Sequence, residues 1–388
     1  MKIFVILSRV PYPLEKGDKL RAFNQIKELS KNNEVILFAL NDIELDKSAW
    51  TELRKYCSEI TILKLTKLTI ILNLLRTLFD GRPFQVGYFY SRKAQKKIDA
   101  LIKQYQPDHI YCQLIRTAEY AKPYETIPAT LDFMDVFSKG MERRKSTSAF
   151  YMKPILGIEY KRLIKYENKI FDFFDHKTII SDQDKSLIPH PRKNEIVVIP
   201  NGVDTNYFKP MGMKKEFELL FNGNMNYPPN VESVQYLVNK ILPIVWKELP
   251  DVKLLISGAN PNHKVMELKS KRVVISGWMN DIRENFAKSS ILVAPMQISI
   301  GLQNKLLEAM AMKLPCVTST LANNALGAKP GEQILVADEP GQYAQCILLL
   351  LKDEKMLQYI GESGYQYVIN NFNWQHTTQR LENLFQEK

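Results

Sequence analysis

The chain has 388 residues, 45% of them hydrophobic and 24% charged, which is enough apolar material for large cores and, at roughly 150 residues per domain, for two of them. Collagen-like, disordered and disulfide-scaffold classes are excluded, and the four cysteines, Cys57, Cys112, Cys316 and Cys346, lack CxxC or Cys/His ligand spacing and read as reduced core thiols of a cytoplasmic protein. The net charge of +11 is uneven: residues 1–190 hold 32 Lys and Arg against 23 Asp and Glu, residues 191–388 only 21 against 19, so the first half is expected to face something anionic, a membrane surface or a phosphate-bearing substrate.

Met1 leads straight into a predicted strand, Ile3 to Leu7, with no basic segment, long apolar run or small-residue cleavage site that would suggest a signal peptide. No run of the sequence reaches membrane-spanning length. The strand empties into Ser8–Pro13 and Glu15–Asp18 before a helix from about Lys19 to Leu29. In an open α/β sheet that loop lies at the ligand edge, where Gly17 would let a backbone approach a substrate closely or would be a plain turn glycine. Val35–Ala39 and Ile60–Leu63 read as further strands, with a helix near Lys47–Cys57 between them.

Leu65 to Phe79 places Leu68, Ile71, Leu72, Leu75, Leu78 and Phe79 on one side of a helix too short to span a bilayer. From Lys64 to Lys103 there are nine Lys and Arg and two acids, interleaved with Phe84, Tyr88, Phe89 and Tyr90, a mixture suited to lipid headgroups and so to peripheral contact with an anionic membrane. A helix packed on the core with a solvated basic flank fits the same pattern. No nucleic-acid motif accompanies the patch, and nucleic acid is not an expected partner. His109–Cys112 and Ala129–Phe133 resume the strands, with Asp132 and Asp135 near the end of the second. Lys139–Lys169 is a long basic helical segment, Thr178–Ile180 a short strand, and the Pro-rich Ile188–Arg192 reads as a linker. The expected division is 1–190, 191–370 and a terminal helix in 371–388 that packs back toward the N-terminal domain.

The second half opens with a strand at Ile196–Pro200 and the turn Asn201-Gly202-Val203-Asp204. Phe217–Phe221 runs into Asn222-Gly223-Asn224-Met225 ahead of a helix from about Val231 to Trp246, Val252–Ser257 precedes Gly258, and Val273–Ser276 precedes Gly277. Strands that empty into glycine-bearing loops describe a second doubly wound sheet with its ligand edge along them. The unit around which they are arranged is Gly301–Thr320: the strand Ile291–Pro295, a helix from Gly301 through Met312, then the β-branched run Val317–Thr320. Gly301, Lys305, Glu308 and Met312 share one face of that helix. Lys305 would lean back toward the Gly301 and Leu302 amides, where an anion is already favoured, and Glu308 one turn deeper would accept hydrogen bonds from a ribose. On the helix pattern alone the two also fit an ordinary solvated i,i+3 pair.

Ile199–Asp204 with Phe208, Gly277 with Asp281, Val293-Ala294-Pro295, Leu307–Ala311 and Leu314–Val317 together resemble the C-terminal domain of the family 4 retaining glycosyltransferases. The run from Gly301 to Met312 also resembles sugar transferases of exopolysaccharide and envelope assembly. The resemblance implies an α/β GT-B fold, two Rossmann-like doubly wound domains facing across a cleft, and retaining, hexosyl-type transfer from an NDP-sugar to the hydroxyl of a sugar or lipid-linked acceptor, with no cofactor besides that donor. It implies that Glu308 binds the nucleotide ribose, that the Gly301 helix start and the Gly17 loop hold the diphosphate, and that Asn201 and Gly277 belong to the donor site, to which the Leu302 amide and the Asn224 side chain are added as further donors to the diphosphate. Two positions depart from the family: Ile300 stands where an acidic residue contacts the donor sugar, and Asn224 with a Tyr-Pro-Pro-Asn turn replaces the Arg and Lys that follow the strand at Phe221. Lys305 is placed to supply part of that missing charge to the leaving diphosphate. Asp135 is the candidate for holding the acceptor or sugar near the scissile bond, or else a helix cap. A GT-B subunit that binds without catalysing, and an NDP-sugar epimerase of the same fold, remain as alternatives.

Overall fold

The computed structural model describes residues 1–277, 279–298 and 301–387. They form two compact units, one of Met1–Pro200 with Trp374–Lys388, the other of Asn201–Asn373.

The first unit is built on seven strands, β1 (Lys2–Leu7), β2 (Glu34–Asn41), β3 (Glu59–Lys64), β4 (His109–Gln113), β5 (Ala129–Asp132), β6 (His176–Ile179) and β7 (Val197–Val198), in the order β3-β2-β1-β4-β5-β6-β7. All pair in parallel. Ile3 to Leu7 are each no more than 1% exposed, the continuous apolar run of a strand covered on both faces. Phe4, Ile6 and Phe38 pack on one side of the sheet, and Ile3, Val5 and Leu37 on the other. That second side is closed by the helix Trp374–Gln386, which buries Leu381, Leu384 and Phe385 there and stacks Phe385 on the His109 ring at 4.3 Å.

The boundary expected at residue 190 falls later. Val197 and Val198 pair with Thr178 and Ile179, and Ile199 N donates to Ile179 O at 2.8 Å, so the strand expected to open the second domain is the last strand of the first sheet. The Pro-rich segment before it is part of this unit and not a free linker: Ile188 is buried and the His190 ring stacks on Phe171 at 3.9 Å. The division lies at 200/201, and the chain returns at 373/374.

The second unit holds β8 (Phe217–Asn222), β9 (Leu254–Ser257), β10 (Val273–Gly277), β11 (Ser289–Ala294), β12 (Cys316–Thr318) and β13 (Leu335–Val336), parallel and in the order β10-β9-β8-β11-β12-β13. Strand order reverses between β8 and β11, which sets the ligand edge beyond their carboxyl ends. The helix after β8 starts at Pro228, because two prolines suit a first turn that needs no N–H donors, and it widens to a π turn at Leu237–Ile241 ahead of Pro243. Among the described residues, no helix is long and apolar enough to cross a membrane.

Candidate functional site

The carboxyl ends of β8, β9 and β11 are brought together by glycines. Gly258, after β9, has φ +139°, and a Cβ there would lie 1.7 Å from the carbonyl oxygen of Gly223, so only glycine allows these two loops to cross. Asn230, in the first turn of the Pro228–Tyr236 helix, is buried beneath the crossing. Its Nδ2 donates to Asn224 O at 3.0 Å, and its Oδ1 accepts from Lys305 Nζ at 2.7 Å. The same ammonium lies 4.5 Å from the centre of the Phe221 ring and 3.8 Å from Met296 Sδ. Residues from two stretches distant in sequence, 221–230 and 296–305, thus converge on one nitrogen.

Lys305 is 8% exposed, and no ion pair joins it to Glu308 among the described residues. The solvated i,i+3 pair is not what the fold holds. Burial pushes the Lys305 ammonium down to about 7, against the raising effect of Glu308. Burial pushes the Glu308 carboxyl up to about 7, against the lowering effect of Lys305. The two charges support each other across a gap and share a site from which water is largely excluded.

The helix that carries them is shorter than expected. It spans Asn304–Ala311, with Gln303 as an extended N-cap and Gly301 at φ +64°. A left-handed Gly301 cannot be a helical residue, and Leu302 is buried as an apolar anchor, so both precede the helix and its first-turn amides belong to Asn304 and Lys305. Asn201 is buried and its Nδ2 donates to Asn304 Oδ1 at 3.2 Å, which ties the turn after the unit boundary to the helix start. Asn224 is exposed, and its Oδ1 accepts from Asn226 N at 3.0 Å. Gly277 ends β10 at φ +68°, and its carbonyl accepts from Gly258 N at 3.4 Å. Asn201, Asn224, Gly277, Gly301, Leu302, Lys305 and Glu308 therefore lie along one edge of one sheet. Ile300 lies outside the described residues.

In the first unit Gly17 is the opening residue of the helix Gly17–Leu29 and not part of a loop. It is exposed and nothing lies within 4 Å of a Cβ built on it, so no close approach of another segment requires a glycine. The helix begins there because Asp18 in its first turn suits the positive end of the dipole, and Arg9 pairs with Asp18 at 2.9 Å. Asp132 is buried and fully engaged, with Arg21 Nε at 2.6 Å, Tyr111 OH at 2.9 Å and Thr178 Oγ1 at 3.1 Å. Asp135 is different. Its carboxyl takes no hydrogen bond among the described residues, and it does not cap the Phe137–Thr147 helix, whose N-cap is Val136. Burial, then the nearby Asp184, Asp132 and Asp18, push its carboxyl up to about 7.

A cavity of about 490 Å³ opens beyond β1 and β2, lined among others by Arg9, Tyr12, Lys16, Lys19, Asp42 and Lys47. Lys19 is 5% exposed and has no hydrogen-bond partner among the described residues, and burial lowers its pKa. Neither Lys19 nor Asn230 is among the residues picked out from the sequence. Lys19 stands at the helix start just after the first ligand-edge loop, a position that could have marked it. Nothing local marks Asn230, which is 75 residues from its lysine.

Residues 216–353 match the sequence profile of the Glycosyl transferases group 1 family. Lys305 and Glu308 lie inside this matched segment, and Asn201 just ahead of it. Over 96% of both chains, the sequence is 24% identical to an uncharacterized 44.6 kDa protein in the cps region of Klebsiella pneumoniae. Over 52% of this chain and 56% of the relative, it is 27% identical to the UDP-Gal:alpha-D-GlcNAc-diphosphoundecaprenol alpha-1,3-galactosyltransferase of Escherichia coli. Among solved structures, Anabaena Alr3699/HepE in complex with UDP aligns over 100% of both chains with a TM-score of 0.71 and 15% identity. That likeness carries the fold alone, and the fold is GT-B: two parallel-sheet, Rossmann-like units, the second containing the matched segment.

Proposed function

We propose that the chain transfers a hexosyl group from an NDP-sugar to an acceptor hydroxyl, with retention of anomeric configuration, in the assembly of a polysaccharide or cell-envelope glycan. The observation that carries this reading is the buried Lys305, held by Asn230 and Phe221 at the ligand edge of a group 1 domain with Glu308 one turn away. A lysine is costly to bury unless an anion is to meet it. A departing nucleoside diphosphate is such an anion. Its developing charge would be met by the Lys305 ammonium and the first-turn amides of the Asn304–Ala311 helix, preorganised donors that need not reorient during reaction. The Glu308 carboxylate would accept hydrogen bonds from the ribose hydroxyls. With retention by front-face attack no protein nucleophile is required, and Asp135 would hold the acceptor or sugar, with the cavity by Lys19 open to the acceptor's own charged part.

The relatives guide the choice of substrates. The Anabaena structure holds UDP, and the Escherichia coli relative is named for UDP-galactose and a diphosphoundecaprenol-linked acceptor. UDP-sugars are therefore the first donors to try, with no added cofactor, and a lipid-linked diphosphate sugar is the first acceptor. Purified protein is incubated with a panel of NDP-sugars, and free nucleoside diphosphate and the recovered sugar are measured. Slow release of diphosphate without acceptor, accelerated by acceptor, is the expected result. A scrambled sugar with no transfer would make the chain an epimerase, and binding with neither release nor scrambling would make it a non-catalytic subunit.

A further inference from the structure

The helix Lys67–Asp80 is attached by its polar side. Asn73 is buried and its Nδ2 donates to the carbonyl of Tyr90. Thr77 is also buried, with Oγ1 donating to Leu74 O at 2.6 Å, and Gly87 of the Phe84–Phe89 helix lies so close that a Cβ there would sit 1.9 Å from Thr77 Cγ2. These contacts fix the rotation of the helix, and they turn its apolar stripe outward. Leu68, Ile71, Leu72, Leu75 and Leu78 are each about half exposed or more, and Phe79 is 91% exposed. A surface helix of a globular protein normally does the reverse.

A second apolar group stands on the neighbouring segment, where Phe150, Tyr151, Ile155 and Ile158 are exposed. Arg162, one turn beyond Ile158, donates to Thr77 O at 2.8 Å and to Arg82 O at 3.2 Å, while Glu159 accepts from Phe84 N at 2.7 Å. These bonds bring the start of the Lys153–Phe171 helix beside the end of Lys67–Asp80, so both groups belong to one side of the first unit. Exposed cations border them: Lys67 and Arg76 on one helix with Lys64 at the end of the preceding strand β3, and Lys153, Lys161 and Lys165 on the other helix.

We propose that this face docks on an anionic lipid bilayer, with the leucines, isoleucines and Phe79 entering the headgroup and upper acyl layer and the lysines reaching back to phosphates. The charge decides between this occupant and a second copy of the chain. Residues 64–103 carry nine Lys and Arg against two acids, and residues 139–169 nine against three. A two-fold contact would press these like charges together, whereas an anionic surface neutralises them while the apolar stripe leaves water. A patch of this size on a lone chain needs such a cover. The inference rests on the surface of the first unit and is independent of the sugar-transfer reading.

Flotation of the full chain with vesicles tests it. With phosphatidylglycerol mixed into phosphatidylcholine the protein should float at low salt, bind pure phosphatidylcholine about tenfold less or weaker still, and be released by added salt. Leu72→Asp with Phe79→Asp, and separately Ile158→Asp, should each lower binding about tenfold or more while leaving the melting temperature in place, because the replaced side chains are exposed. Arg76→Glu should weaken binding to the anionic vesicles alone. The proposal is overturned if the protein stays off anionic vesicles at low salt, if the aspartate variants bind as the parent does, or if light scattering shows a dimer that these substitutions break.

Discussion

In the proposed reaction the donor chemistry turns on Lys305 and Glu308, and the effects expected of their substitution differ in kind. On that reading Glu308→Ala would remove charge-assisted hydrogen bonds to the ribose and should weaken nucleotide binding by about 1.5 to 3 kcal/mol in a calorimetric titration. Lys305→Ala removes charge that matters most as the diphosphate departs, so steady-state kinetics should show kcat falling more than affinity. Unchanged affinity and rate in both folded variants would sink the assignment. The pH profile follows from the same pair. Lys305 loses its proton as pH rises through about 7, and Glu308 gains one as pH falls through about 7. With the ammonium and the carboxylate both needed, kcat/KM should be bell-shaped and highest near neutrality, and Glu308→Gln should flatten the acid limb. The spacing that puts the two residues on one helical face is legible in the sequence. Their burial is not, because the contact that takes Lys305 out of water is made by Asn230, 75 residues away, beside loops that only a glycine at 258 lets cross.

At the scale of the element, glycines separate two kinds of loop end. Gly258→Ala would drive a methyl group into Gly223 O from a left-handed backbone, so it should lower stability by more than about 3 kcal/mol and disorder the donor edge, read as a lost nucleotide-induced shift in melting temperature. Gly17→Ala meets open space at a helix start and should be neutral or stabilise by about 0.4 to 1 kcal/mol by denaturant titration. The sequence reads both as ligand-edge glycines because it shows a glycine after a strand and not what lies opposite it. The same limit applies to helix starts: Gly301 looks like the first residue of its helix, but its positive φ and the extended Gln303 delay the start to Asn304. In Lys67–Asp80 the amphipathic period is plain in the sequence. Which side faces the protein was settled by two small polar residues and Gly87, whose close packing no periodicity reports.

For the whole molecule, alternating strands and helices with glycine loops make the two parallel sheets readable in advance, whereas the boundary at 200/201 is set by ladder bonds of β7 that short apolar runs do not announce. Burial also gives the folded chain a distinctive response to acid. The carboxyls of Asp135, Glu167 and Glu308 are each raised to about 7, mainly by burial, against about 4 in an unfolded chain. Between those limits the folded state holds protons that the unfolded state does not, so this stabilisation is greatest at the acid end of the window and is lost as pH rises through 7. His109, lowered to about 3 chiefly by burial, acts in the opposite sense below about 6.5, and Lys305, lowered to about 7, does so as pH rises past 7, but these are two groups against three, and Lys305 acts only at the upper edge of the window. The melting temperature of the ligand-free protein should accordingly be higher at pH 5.5 than at pH 7.5, as scanning calorimetry would show, and a flat or inverted trend would mean that these carboxyls titrate as exposed groups do.

The return of the chain at 373/374 has a consequence for how the molecule is made. Val203 N donates to Phe372 O at 2.7 Å, and Val203 bridges Asn373, so the two ends of the second unit lie side by side and that unit is a closed insertion in the first. A ribosome delivers the whole of the inserted unit before it delivers the helix Trp374–Gln386, and until then the first sheet lacks Leu381, Leu384 and Phe385 over one of its faces. The half of the chain that emerges first is thus the half that finishes folding last, and its apolar face must wait, uncovered, through the synthesis of the domain inserted within it.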